Sequence, residues 1–339
     1  MAIDSSTTSS LRLSAPVVCI VGPTASGKTA LATNLAIALD GEVVSADSMQ
    51  IYRGMDIGTG KLPTAERLVP HHGFDLVDPG EPYSAALFQE YARSCFQSID
   101  ARNKRSVLCG GTGLYVRAAI DAYEFPKGDQ VGNAARDHYN AIARKQGAQV
   151  LWHLLKDRDP ESAALLPPAD VKRVVRAFEL LDEGTTYATQ RAKLADIPPF
   201  VPALFIGLAV DPVLLNERID ARVDAMLDSG LVEEVEHLLD GGFRDGITAP
   251  QAIGYKEIVA SLDGYLSMDE AVQRIKIATH RYAKRQRTWF RKDQRIKWID
   301  GDTLNVDLMV DKALKTLRDA EAEMSYCGSV NSLRGESLC

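Results

Sequence analysis

The sequence predicts an α/β protein: a parallel sheet flanked by helices, built on a phosphate-binding loop and interrupted by an all-helical insertion. Three observations carry this. APVVCIV (residues 15–21) is a short β-branched run that ends at the glycine-rich GPTASGKT, which opens a helical pattern. Further apolar runs then alternate with helical spacing, as in a parallel sheet with crossover helices. From about Phe125 to Pro199 that alternation stops.

Each element follows from its spacing. ASGKTALATNLAIALD places Leu31, Leu35 and Leu39 on one helical face. GEVVSAD is a second strand ending at Asp47, and RSVLCGGTG a third ending near Thr112, with a helix over YSAALFQEYARSCFQSID between them. Asp47 and Thr112 therefore stand at carboxyl ends of strands, the edge where open α/β sheets bind ligands. In the insertion, FPKGD, LLPPAD and IPPF bracket the helices AARDHYNAIARKQG and DVKRVVRAFELLDEG, the latter with Asp170 as N-cap and Gly184 as stop. ALFIGLAV returns to strand, DPVLLNERIDARVDAMLDSG and LVEEVEHLLDGG follow as helices, a basic helix runs from Met268 to Lys292, and IKWID closes the sheet. The expected organisation is a disordered tail over 1–14, a core of 15–124 and 200–320 that includes the basic helix, a helical insertion over 125–199, and a loose tail over 321–339.

Composition bounds the function. The five cysteines include no CxxC pair, which fits neither a disulfide framework nor a zinc site. No apolar run approaches the roughly 18 residues of a membrane span, so a soluble, cytoplasmic protein is expected, by default a monomer. The net charge is −7, yet Arg274 to Lys297 holds ten Lys/Arg against Asp293, giving +9 there and −16 elsewhere. Such a stripe, interleaved with Tyr282, Trp289, Phe290 and Trp298, suits phosphates or stacked bases, while its aromatics also serve to pack the helix.

GPTASGKT (Gly22, Pro23, Thr24, Ala25, Ser26, Gly27, Lys28, Thr29) satisfies GxxxxGK[ST] after a strand and before a helix. Backbone N–H groups, the helix N-terminus and Lys28 favour a bound phosphate, and Thr29 is positioned to ligate Mg2+. The motif does not say which group carries the phosphate. Asp47, in SADSMQIYRGMDIGTGK, is placed to serve a metal or accept a proton, or merely to cap a turn. Arg218 and Arg222 share a helical face and suit a polyanion, or surface ion pairs with Glu217, Asp220 or Asp224. Lys172, Arg173 and Arg176 present a comparable basic face, or a solvated one.

Six stretches in order, GPTASGKT, SADSMQIYRGMDIGTGK, GGTGLYVRA, RIDARVDAML, QAIGYKE and AKRQRTWFR, resemble the tRNA dimethylallyltransferases of bacteria over about residues 16–300. The resemblance implies a P-loop nucleotide-kinase-like fold whose helical insertion clasps the anticodon stem-loop of tRNA. It implies transfer of a dimethylallyl group from dimethylallyl diphosphate to the exocyclic amine of adenosine 37, in tRNAs reading codons that start with U. By the same resemblance the loop from Gly22 to Thr29, with Arg218, holds the diphosphate with Mg2+ at Thr29. Asp47 takes the proton, Thr112 lines the approach of the base, and Arg222 neutralises the leaving group. The implied tRNA contacts are Asp47, Ser48, Met49, Gln50, Thr112, Arg136, Lys172, Arg173, Val174, Val175, Arg176, Gln251, Gly254, Tyr255, Lys256, Arg281, Lys284, Arg285, Arg287 and Arg291. Rival readings are a P-loop small-molecule kinase and an adenylate isopentenyltransferase; the basic helix and the DSMQIYRGMDIGT stretch favour a tRNA acceptor.

Overall fold

The structure is a computed structural model that describes residues 10–125, 133–195, 197–303 and 305–334. It divides into two compact units, Met1–Ile120 with Phe200–Cys339, and Asp121–Pro199. The first unit begins with β1 (Val17–Val21), α1 (Lys28–Ala38), β2 (Gly41–Ser45), β3 (His71–His72), α2 (Ala85–Asp100), β4 (Arg105–Gly110) and α3 (Gly113–Ile120). The second unit supplies α4 (Ala134–Gln146), α5 (Ala148–Arg158), α6 (Pro160–Ala164), α7 (Val171–Asp182) and α8 (Tyr187–Ala195). The chain returns to the first unit with β5 (Ala203–Ala209), α9 (Pro212–Asp228), α10 (Leu231–Asp240), α11 (Tyr255–Leu262), α12 (Met268–Phe290), β6 (Ile296–Asp300) and α13 (Val306–Arg334).

The sheet is parallel throughout, in the order β3-β2-β4-β1-β5-β6. Alternating side chains of β1 divide its two faces. Val17, Cys19 and Val21 pack with Phe88, Phe96, Tyr115 and Phe290, whereas Val18 and Ile20 pack with Leu31, Leu35 and Leu317. A strand covered on both faces needs an unbroken apolar run, which VVCIV supplies. A third apolar cluster joins Ile51, Tyr52 and Met55 to Ile219, Leu231, Tyr255 and Ile275, so the long segment after β2 becomes a wall against α9 to α12.

Two expected tails need correction. Leu11 donates its N–H to the Phe200 carbonyl (2.8 Å), and Leu11 and Leu13 pack on the core, so the chain is already anchored before residue 14. Residues 1–9 lie outside the described residues. At the other end α13 runs through the expected loose tail as far as Arg334, and residues 335–339 lie outside the description. The two-residue β3, and α3, α5, α6, α8 and α11, are additions to the sequence reading; all are short or lack a sustained apolar stripe.

In the second unit, Tyr139 stacks on Phe178 at 4.1 Å between centroids, over a core of Leu151, Leu155, Val174 and Val175. Asp170 caps α7 by accepting the Arg173 N–H (3.3 Å), and Gly184 follows its end at φ +82°, both as the sequence predicts.

Candidate functional site

The carboxyl ends of β1, β2 and β4 meet at a cavity of about 310 Å³ within the first unit. Lys28, Thr29, Asp47, Ser48, Met49, Gln50, Arg222, Gln251 and Tyr282 are among its lining residues. Gly27 at φ +90° and Ala25 at φ +60° curl the phosphate loop, a conformation that glycine accepts and alanine holds under strain. Inside the loop, the Ser26 hydroxyl and the Lys28 ammonium both donate to the Pro23 carbonyl (2.8 and 2.9 Å). The Thr24 N–H donates to Gln286 (2.9 Å), while among the described residues the N–H groups of Ala25 to Thr29 have no acceptor. An anion site made of backbone donors at a helix N-terminus needs such free groups.

Asp47 accepts the Met49 N–H at Oδ1 (2.9 Å), so it does cap a turn, and its other oxygen has no hydrogen bond among the described residues. Thr112 accepts the Ser48 N–H (3.2 Å), which ties the ends of β2 and β4 together; it stands next to the lining residue Gly111 and is not itself among the residues that line the cavity. Charges converge here. Burial pushes the Lys28 ammonium below its ordinary value, with Asp47 pulling the other way, and burial likewise lowers Arg222, again opposed by Asp47. The Tyr282 phenol is pushed up to about 12 by burial and by Asp47. Two partly buried cations facing one carboxylate leave surplus positive charge, which suits a multivalent anion.

Arg222 and Arg218 part company. Arg222 reaches the cavity beneath the Thr59 carbonyl (3.4 Å), where a Cβ on Gly60 would stand 1.9 Å from its guanidinium, so the loop closes over it only with glycine there. Arg218 does not line the cavity; it donates to the carbonyls of Gly301 (2.9 Å) and Asp302 and braces the turn after β6. Four residues apart on α9, the two side chains reach different neighbours, and the assignment of Arg218 to the diphosphate is withdrawn.

The loop over 56–61 is set by two residues absent from the sequence-derived site. Glu234 accepts three backbone N–H groups, from Asp56 (3.0 Å), Ile57 (2.7 Å) and Gly58 (3.2 Å), and the Tyr255 hydroxyl (2.6 Å). Lys61, its side chain 2% exposed, bonds Asp56 (2.5 Å), Asp75 (2.6 Å) and the Tyr52 carbonyl (3.0 Å). In an acidic helix and a glycine-rich loop, neither carried a distinguishing signal. Gln286 carried one: it is a polar residue on the inward stripe of Ile275, Ala283 and Phe290. Tyr255 is fully buried and Gly254 starts α11 at φ +96°, so both are wall and joint rather than an exposed tRNA contact; Gln251 and Lys256 remain exposed.

On α12, Arg281, Lys284 and Arg285 are exposed, Arg287 half-buried, and Arg291 exposed just beyond its end. Phe290 is buried, while Trp289 lies against Gly113 and Trp298 against Gly207, each keeping an exposed part. His280 Nε2 lies 2.8 Å from the Asp220 carboxylate.

In the second unit, Lys172 and Arg173 are exposed, but Val174 and Val175 are core residues and are withdrawn as tRNA contacts. Arg136 and Arg176 both bind the buried Glu179 (2.5 and 2.8 Å). Burial alone would raise the Glu179 carboxyl; the hydrogen bonds and charges of both arginines outweigh it and hold the group below its ordinary value.

Among the described residues, no group of three His, Cys, Asp or Glu could cage a metal. Mg2+, however, commonly binds through one or two protein oxygens plus substrate phosphates and water. The exposed Thr29 hydroxyl lines the cavity and makes no hydrogen bond among the described residues, which fits that mode.

Comparison with known proteins gives concordant matches. The profile of a family described as IPP transferase matches residues 50–293, and one described as Isopentenyl transferase matches 15–71. A tRNA dimethylallyltransferase of Carboxydothermus hydrogenoformans is 42% identical over 306 residues, 89% of this chain and 97% of the relative. One from Salinispora tropica is 44% identical over 305 residues, 90% and 93% of the two chains. Among solved structures, the full-length tRNA isopentenylpyrophosphate transferase of Bacillus halodurans superposes with a TM-score of 0.68 at 38% identity, covering 93% of this chain and 99% of that one. A eukaryotic dimethylallyltransferase described as acting on tRNA gives 0.71 at 28% identity, covering 85% and 74%.

Proposed function

The chain belongs to the tRNA dimethylallyltransferase family, and from that premise we propose that its cavity transfers a dimethylallyl group from dimethylallyl diphosphate to the exocyclic amine of adenosine 37 in tRNAs reading codons that start with U. The observation that carries the reading is the convergence of Lys28, Asp47 and Arg222 on one cavity, beside a phosphate loop with free N–H groups. The kinase and adenylate isopentenyltransferase alternatives draw no support from the family match.

In this reading the loop and Lys28 hold the departing diphosphate and Arg222 takes up the charge that develops as the allylic C1–O bond breaks. The bond formed is from the adenine nitrogen to C1, and the nitrogen's proton passes to the unbonded oxygen of Asp47. Thr112, held to Ser48 beside the cavity, flanks the approach of the base, which reaches the cavity flipped out of its stack. Thr29 would be the protein ligand of a bound Mg2+, which would supply charge neutralisation on the diphosphate. Arg281, Lys284, Arg285, Arg287 and Arg291 supply phosphate contacts to the tRNA; Lys172 and Arg173, exposed on α7 of the second unit, are separate candidates for such contacts. The enzyme works as a cytoplasmic monomer; no helix among the described residues is long and apolar enough to cross a membrane.

The test is incubation with labelled dimethylallyl diphosphate, Mg2+ and bulk tRNA, beside AMP and beside ATP with small acceptors. Label is expected in tRNA alone; label in AMP, or phosphate transferred from ATP, refutes the reading. Asp47→Ala should lower turnover about 10²- to 10⁴-fold with tRNA affinity nearly unchanged, as loss of a general base does. Unaltered turnover removes Asp47 from that role.

A further inference from the structure

Gln286 is a buried amide with no place in the chemistry above, yet it joins two parts of the site that are far apart in sequence. Its Oε1 accepts the Thr24 N–H of the phosphate loop (2.9 Å), and its Nε2 donates to the Gly111 carbonyl at the end of β4 (3.0 Å). The side chain is 5% exposed and lies where a Cβ on Gly111 would be 2.1 Å from Nε2, so the contact depends on glycine at 111. Ala283 and Phe290, one turn to either side, are buried in the body of the unit, so the helix cannot rotate the amide away. Its chain neighbours Arg285 and Arg287 are cations turned toward solvent or the cavity mouth.

We propose that Gln286 is a positioning residue for the leaving diphosphate: it pins the phosphate loop to the end of β4 in the shape that leaves the N–H groups of Ala25 to Thr29 free for the anion. The inference rests on the reading that GPTASGKT holds diphosphate. The Thr24 N–H is diverted to an internal acceptor, which fixes the entry side of the loop without using up the donors that follow it. The loop already carries a positive-φ alanine, so an unpinned loop has strain to release by moving. The exposed cations of α12 lie on the other side of the helix from this buried amide, so its loss should weaken anion binding and leave the outer face of α12 as it is.

The experiment measures the affinity of the full chain for inorganic diphosphate with Mg2+, its affinity for tRNA, and its thermal midpoint. The proteins compared are the unaltered chain, Gln286→Met, Gly111→Ala and the double variant. Gln286→Met keeps length and burial but makes neither bond; Gly111→Ala displaces the amide from the other side. Each single variant should bind diphosphate about tenfold more weakly, the scale of one to two lost hydrogen bonds, and the double variant no worse than the weaker single. Affinity for tRNA should stay within about twofold. Equal diphosphate affinity in Gln286→Met overturns the proposal, as do additive losses in the double variant or a parallel fall in tRNA affinity, which mark general loosening of the fold. If the unaltered chain does not bind diphosphate at all, the reading of the loop itself fails.

Discussion

The helices α7 and α12 are both rich in cations, and they use them in opposite ways. On α7, Arg176 turns inward with Arg136 to the buried Glu179, and only Lys172 and Arg173 face water. On α12 the inward positions are Ala283, Gln286 and Phe290, while Arg281, Lys284 and Arg285 stay outside, beyond the reach of that helix's one acidic cluster at its first turn. A count of Lys and Arg therefore measures what a helix could offer a polyanion, and the acid buried beneath it decides how much it does offer.

The largest expected effect extends the contrast to the cavity, by removing one arginine from each unit, Arg222 of α9 and Arg176 of α7. Arg222→Ala should cost about 10²- to 10³-fold in kcat, the loss of a group that stabilises developing charge, whereas Arg176→Ala should leave kcat unchanged and lower stability instead. Equal effects on kcat, read from single-turnover transfer to tRNA, would erase the distinction. Next in size is the buried acid itself. Glu179→Ala should destabilise the second unit by about 2 kcal/mol, since it loses charge-assisted bonds but frees two arginines that are one-third exposed or less and can reach water. The folded carboxyl lies below its ordinary value of 4.5, so its contribution is complete above that value and is lost as pH falls through the folded value. Protection factors along α7, taken relative to the intrinsic exchange rate at each pH, should therefore fall in acid, and Glu179→Gln should remove that component. The smallest effect sharpens the comparison of outer faces. Lys284→Ala with Arg287→Ala should lower the salt dependence of tRNA binding by roughly 0.7 to 0.9 per lost phosphate contact, and Lys172→Ala with Arg173→Ala by a similar step if the second unit also touches phosphate. An unchanged slope in the α12 pair would move the tRNA elsewhere.

What the sequence revealed divides along the same physical line. Local rules located the sheet, the phosphate loop, Asp47 at a strand end and Asp170 at a helix start, because each depends on residues within a turn or two of itself. They failed where partners are remote. Arg218 and Arg222 have the same spacing to any periodic pattern, and only the carbonyls of Gly301 and Asp302, more than eighty residues on, separate them. Val174 and Val175 were swept into the tRNA surface with their charged neighbours, although an apolar pair flanked by cations on a helix is the usual mark of a core stripe. Glu234 is one acid among several on α10, and nothing near it in the chain announces that it will hold a loop some 176 to 178 residues earlier. Gln286 was visible as a polar residue on an apolar stripe, but its two partners were not.

The clamp on Thr24 also sets a schedule. Thr24 and Gln286 are 262 positions apart, so at about 5 to 20 residues per second a ribosome makes the loop roughly 13 to 52 s before the residue that pins it. Within that interval the five helices of the second unit and then β5, the neighbour of β1, are all made before Gln286. If Gln286 shapes the loop as proposed, the nascent chain carries the phosphate motif before the residue that pins it, and full affinity for diphosphate arrives late, with nearly the whole polypeptide in hand.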